Sequence, residues 1–119
     1  MNIAKMIESI KKHPDYDKAG MILCHNGVVR STSRDGRKVA GLRIVVDHDK
    51  LKRVISEHKQ RPGIVEILVH INENTDLSLG DDVMYLLVAG DIRENVISTL
   101  NDTLNAIKSQ VTKKTEFFV

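Results

Sequence analysis

The stretch that decides the fold is GDIRENVISTLNDTLNAIKSQVTKKTE, residues 90–116. Val96, Ile97, Leu100, Leu104, Ile107 and Val111 recur at helical spacing, which predicts one long helix with a single apolar face. Asp91 stands where a side-chain oxygen can cap that helix, and Glu94 three residues later completes a capping box. Arg93 then falls in the first turn, Lys108 borders the apolar stripe, and Lys113 and Lys114 follow. A helix N-terminus already carries partial positive charge, so a guanidinium placed there points to an anion.

Outward from this helix, the preceding VMYLLVA, residues 83–89, is a strong apolar strand. Residues 64–71 alternate well enough for another strand, and the polar residues 72–82 connect the two. Leu51, Val54 and Ile55 predict a helix within residues 47–61, closed by Pro62-Gly63. Residues 20–30, GMILCHNGVVR, read as a strand in which Asn26-Gly27 permits a turn or bulge. The polar loop STSRDGRK, with Asp35-Gly36 at its tip, predicts a hairpin returning through residues 39–46. Ile3, Met6, Ile7 and Ile10 mark a short helix over about residues 2–12, stopped by His13-Pro14. The order α-β-β-α-β-β-α-(β) predicts an α+β domain, helices laid on a mainly antiparallel sheet.

Composition narrows the function. At 119 residues the chain makes one domain, taken as residues 1–119. A net charge of +2 with two Phe, two Tyr and no Trp is a poor footing for nucleic acid. No apolar run approaches membrane-spanning length and no signal peptide is visible, so the expected address is cytoplasmic. Cys24 is the single cysteine, which excludes an internal disulfide and a thiolate zinc cluster. Its setting, MILCHN, predicts a buried strand position.

Histidines 13, 25, 48, 58 and 70 show no metal-ligand spacing and are expected to be structural or superficial. The basic residues carry more meaning. Arg30 ends an apolar strand and opens the glycine-containing loop, and Arg93 could hold a phosphate with the free N–H groups of a helix start. Lys108, beside an apolar stripe, is expected to have a lowered pKa and to serve as base, acid or charge partner of an acyl group. The alternative is that Lys108 merely complements the helix dipole and Arg93 is solvated.

Taken in order, His13-Pro14 before a strand, GVVRSTSRDG (residues 27–36), IVEILVHINENTDLSLGDDVMYLLVAGDIR (residues 64–93) and IKSQVTKKTE (residues 107–116) resemble the large, catalytic subunit of molybdopterin synthase. The likeness runs over about residues 13–116. It implies an α/β-hammerhead fold, a homodimer, and a ubiquitin-like small subunit whose C-terminal Gly-Gly carries a thiocarboxylate. Sulfur would pass from that tail to cyclic pyranopterin monophosphate, with the pterin as substrate and product and with no cofactor or metal. By position, Lys108 and Lys114 match the family's active-site lysines, and Arg30 and Arg93 its substrate- and tail-binding arginines. The sequence departs from the family at Ile92, where the family carries His, and in a shorter bridge over residues 109–112. Residues 47–63 are also shorter, and no longer C-terminal tail follows Val119. The resemblance is therefore to a divergent, C-terminally short member. The alternative is a non-catalytic paralogue, a homodimeric protein- or anion-binding module; an unrelated small anion-binding domain is a third reading.

Overall fold

Leu86, Leu87, Val88 and Ala89 are all fully buried, so strand β5 (Asp82–Gly90) has no face for water. Such a strand needs a neighbour on each edge and apolar cover on each side. β1 (Met21–Val28) and β3 (Ile64–Ile71) supply the edges, both antiparallel, in the order β1-β5-β3. Side chains alternate across the strand. Leu87 and Ala89 share a core with Met6 and Ile10 of helix α1 (Ile3–Lys11). Leu86 and Val88 share the larger core with Val54 of α2 (His48–Lys59) and Val96 of α3 (Arg93–Ala106).

A second antiparallel sheet joins that larger core through Leu42, Ile44 and Leu77. Its order is β4-β2-β6, from β4 (Leu77–Ser78), β2 (Val39–Val46) and β6 (Thr112–Phe118). A single 3₁₀ turn, Tyr16–Lys18, links α1 to β1. The computed structural model describes residues 2–119.

The α+β class and the element order agree with expectation, but several local readings change. The hairpin expected between β1 and β2 does not form: β1 pairs with β5, and the loop between them crosses from one sheet to the other. Only an isolated Thr32↔Lys38 bridge remains of it. β1 lends one edge to β5 and stays at the margin of its sheet, while both edges of β2 are taken by β4 and β6. The connection over residues 72–82 also contains β4, which the polar composition hid.

Residues 90–116 are not one helix. α3 ends at Ala106, a π-helical turn (Ile107–Val111) follows, and β6 takes Lys113 and Lys114. Asp91 does not cap α3: its Oδ1 accepts from the Ile92 N–H (2.7 Å) and from Asn95 Nδ2 (2.9 Å), and the N-cap is Ile92 with no side-chain bond. Glu94 turns to Arg93 instead of closing a capping box. The buried face of α3 holds Val96, Thr99 and Thr103, while Ile97 is 51% exposed. Thr103 Oγ1 donates to the Thr99 carbonyl at 2.6 Å, so a buried hydroxyl carries no unmet bond. Cys24, expected inside, is exposed on the outer face of β1.

Gly41 of β2 tests the second sheet. A methyl group there would collide with the Leu77 carbonyl oxygen of β4, which is backbone and cannot swing aside. Gly41→Ala is expected to destabilise the fold by about 1–3 kcal/mol, read as a lower urea midpoint. An unchanged midpoint would show that β4 does not lie against β2.

A cationic cleft as candidate active site

The two sheets meet at the C-terminal end of β1, and a cleft opens along that seam. A register shift between Gly27 and Val28 breaks the ladder there. Such a bulge bends the strand and re-aims the next side chain, and Val28 becomes part of the cleft wall. The chain beyond it is stitched to the Leu79-Gly80-Asp81 turn: the Val29 N–H donates to the Asp81 carbonyl (2.9 Å) and the Gly80 N–H to the Val29 carbonyl (2.8 Å). Gly80 has φ +82, a left-handed conformation that glycine adopts without strain. This turn fixes the segment from which Arg30 emerges.

Lys108 comes from the π-helical turn. The Thr112 N–H donates to the Ile107 carbonyl, five residues back, while Ile107 and Val111 are buried anchors. Wider turns of this kind are frequent at functional sites. Here the turn ends α3 and delivers the chain into β6. Side chains then alternate: Thr112, Lys114 and Glu116 face the cleft, while Lys113 faces a separate hollow of about 910 Å³ beside Lys50, Arg53 and Glu57. Strand alternation thus selects Lys114 over Lys113. Its neighbour across the ladder is Ile44 of β2.

The cleft has two communicating hollows that share Val28, Arg34, Leu42, Lys108 and Lys114. One, of about 750 Å³, adds Arg30, Thr32, Ser33 and Glu116 and is strongly cationic. The other, of about 570 Å³, adds His25, Ile71, Met84 and Ile107 and is mainly apolar. Four cationic side chains therefore face a single carboxylate, Glu116, whose nearest approach is 3.8 Å to Lys114 Nζ. Although the Lys108 side chain reaches water, partial burial holds its pKa below the ordinary lysine value, and repulsion from Arg34 and Lys114 adds to the shift. His25 is also lowered, first by burial and then by the Lys108 charge, which favours a neutral imidazole. Its Nε2 lies over Gly27, 3.4 Å from where a Cβ would stand.

Of the residues singled out in the sequence, Arg30, Lys108 and Lys114 converge here. Arg93 does not. It lies fifteen residues before Lys108, about 22 Å along the helix axis, exposed and 3.4 Å from Glu94. Sequence reasoning missed Arg34 and His25. Arg34 sat in a loop assigned to a hairpin tip, and His25 gave no spacing signal; only the alternation Leu23-His25-Gly27 put it on the inward face of β1. Among the described residues, no group of three or more His, Cys, Asp or Glu could hold a metal ion. No helix among them is long and apolar enough to cross a membrane.

The family model described as MoaE protein matches residues 1–110. That match ends before β6, so the placement of Lys114 rests on geometry. No curated protein matches the sequence. The whole chain is similar in structure to molybdopterin synthase from Staphylococcus aureus, with 18% identity, 86% of that chain covered and a TM-score of 0.79. It is similar to molybdopterin cofactor biosynthesis protein E from Burkholderia multivorans at 19% identity, 84% coverage of that chain and a TM-score of 0.77. A chain from the protein–protein complex of subunits 1 and 2 of molybdopterin-converting factor from Helicobacter pylori matches at 14% identity, 84% coverage and a TM-score of 0.71. At these identities the likeness is one of fold.

The lowered pKa of Lys108 has a signed consequence. Between its folded value and the ordinary value the unfolded chain holds more protons, so stability rises with pH across that window; the Lys108 charge disfavours the fold as pH falls through the folded value. Lys114→Gln removes one repelling charge and is expected to raise the Lys108 pKa, read from the pH dependence of the Nζ or Cε NMR shift. A Lys108 value unmoved or lowered by that change would show that the two ammonium groups do not share the cleft.

Proposed function

The chain belongs to the MoaE protein family of molybdenum cofactor biosynthesis, and we propose that it acts as the large subunit of a molybdopterin synthase. In this reading sulfur passes from a thiocarboxylated, ubiquitin-like small subunit ending in Gly-Gly to cyclic pyranopterin monophosphate. The observation that carries it is the convergence of Arg30, Lys108 and Lys114 on one cleft. Both reactants are anions, and a cleft with surplus positive charge and partly apolar walls attracts and desolvates them together. The structure of subunits 1 and 2 of molybdopterin-converting factor in complex, from Helicobacter pylori, supports a small-subunit partner.

The residues divide the chemistry as follows. The thiocarboxylate sulfur attacks an oxygen-bearing side-chain carbon of the pterin. The carbon–sulfur bond forms as the carbon–oxygen bond breaks, the oxygen leaves with the electron pair, and the tail is joined to the pterin as a thioester. Water then attacks the acyl carbon and the carbon–sulfur bond breaks, so the tail leaves as a carboxylate and sulfur stays on the pterin. Lys108, with its depressed pKa, takes the proton of that water. Lys114 holds the oxyanion formed on the acyl carbon, and Arg30 holds the phosphate. A second cycle supplies the second sulfur of the dithiolene.

Arg93 enters this scheme only through a second copy of the chain. Ile92 and Ile97, 53% and 51% exposed, flank it and give that end of α3 an apolar surface that a homodimer would cover.

Two measurements test the proposal. Purified chain mixed with thiocarboxylated small subunit and pyranopterin should yield dithiolene product, and Lys108→Ala should lower the rate by about 10²-fold or more. Lys12→Ala, at the exposed end of α1, should leave the rate unchanged. A tight complex that makes no product would favour the binding-module alternative. Separately, Ile97→Asp is expected to shift the assembly to monomer in light scattering; an intact dimer would remove this end of α3 from the interface.

A further inference from the structure

The chain has seven arginines, and most of them have partners. Arg43 pairs with Asp76, Arg61 with Asp102 and Arg93 with Glu94, while the Arg37 guanidinium lies 3.6 Å from the centre of the Phe118 ring. Among the described residues Arg30, Arg34 and Arg53 have none, and two of these three line the same cleft. The carboxylate nearest Arg34 in sequence is already engaged. Asp35 accepts from Ser33 Oγ and from the Arg37 N–H, and those bonds hold its pKa below the usual carboxylate range.

The loop that carries Arg34 is braced. The Ser33 N–H donates to the Arg37 carbonyl (2.9 Å), the Gly36 N–H to the Ser33 carbonyl (3.0 Å), and the Val39 N–H to the Ser31 carbonyl (2.9 Å). Stacking of Arg37 on Phe118 ties the far side of the loop to β6. Arg34 is therefore presented to the cleft on a supported turn, with less ordering left to be done when a ligand arrives. It stands near Lys108 and Lys114, where its charge repels both. A further cation in that position, where Glu116 is the one facing carboxylate and already lies by Lys114, lowers stability unless an anion joins it.

We propose that Arg34 is a phosphate-binding residue of this cleft, gripping the phosphate group of the substrate together with Arg30. The inference rests on the functional reading above and adds a residue and a division of labour to it. Two guanidinium forks and the Thr32 hydroxyl line the cationic hollow, and their donors match the several oxygens of a phosphate. The apolar hollow on the other side of Lys108 and Lys114 suits the uncharged parts of the reactants. A thiocarboxylate tail offers only one oxygen and one sulfur, and in the reading above that oxygen is held by Lys114 while the sulfur meets the pterin.

The test is an NMR titration of the full chain with inorganic phosphate at low ionic strength, following the backbone amides of residues 30–38 and the Lys108 amine. Wild-type protein should show saturable shifts in that loop. Arg34→Ala should weaken phosphate binding about tenfold, and Arg34→Lys by less. Binding of a peptide ending in Gly-Gly should change less than twofold in both variants. In Arg34→Ala the Lys108 amine should also titrate at a higher pH, a change that Arg34→Lys, which keeps the charge, should not produce. Phosphate binding by Arg34→Ala within twofold of wild type overturns the proposal, as does a peptide effect larger than the phosphate effect. Absence of any wild-type response in the loop overturns it too. None of these readouts needs sulfur transfer, so a chain that makes no dithiolene still answers the question, and a failed Arg34 assignment leaves the transfer assay standing.

Discussion

Burying Leu86 to Ala89 on both faces of one strand obliges the chain to supply an antiparallel neighbour on each edge of β5 and apolar cover above and below it. Much of the architecture follows from that requirement. β1 gives one edge to β5 from Met21 through Val28 and remains an edge strand of the first sheet. β2 takes its partners in the second sheet, β4 on one side and β6 on the other. The seam between the two sheets is where backbone leaves one ladder for the other, and there polar side chains can gather beside apolar walls.

That seam gathers positive charge at a cost the rest of the molecule bears. Partial burial, and then repulsion from Arg34 and Lys114, makes Lys108 release its proton more readily. Arg30, Arg34, Lys108 and Lys114 each leave a different segment of chain: the end of β1, the loop after it, the π-helical turn and β6. Each segment is fixed by its own bonds, so the cluster persists with Glu116 as its one facing carboxylate. Free energy stored as like-charge repulsion is released when an anion enters, and a pocket of this kind binds charge more strongly than an exposed patch of equal composition.

Much of this was legible in the sequence, and the failures share a cause. Periodicity located α1, α2, β3 and β5 because each buries a face against a core that its own residues define. It misread residues 96–111, because Thr99 and Thr103 are buried at positions a hydropathy pattern counts as polar, with Thr103 satisfied through the helix backbone. The π-helical turn was invisible for a similar reason: one extra residue in the last turn changes the phase without changing composition. Asp91 looked like a cap, but tertiary contact diverted it. Its N–H donates to the Gly63 carbonyl at the corner before β3, which places its side chain over Ile92 and Asn95. In the site, Lys108, Lys114 and Arg30 were legible through the ordered resemblance to a family. Arg34 was not, since a loop residue declares its role only when the elements around it are placed.

The division between the two sheets also separates what holds the molecule together from what makes the site. The larger core runs through Leu86, Val88, Val96 and Ile107, none of which carries charge. The cationic hollow is framed instead by β2, β6 and the loop clamped by Arg37 on Phe118. Changes at the rim of the second sheet can therefore alter charge placement while the first sheet and its helices stay folded. Lys108 is the exception, because its neighbour Ile107 belongs to the core and fixes the turn from which it projects. The residue with the most perturbed amine thus sits on the best-anchored wall of the cleft, and the charges that perturb it sit on the more adjustable one. Such an arrangement lets the loop side of the cleft change while packing holds the position of Lys108.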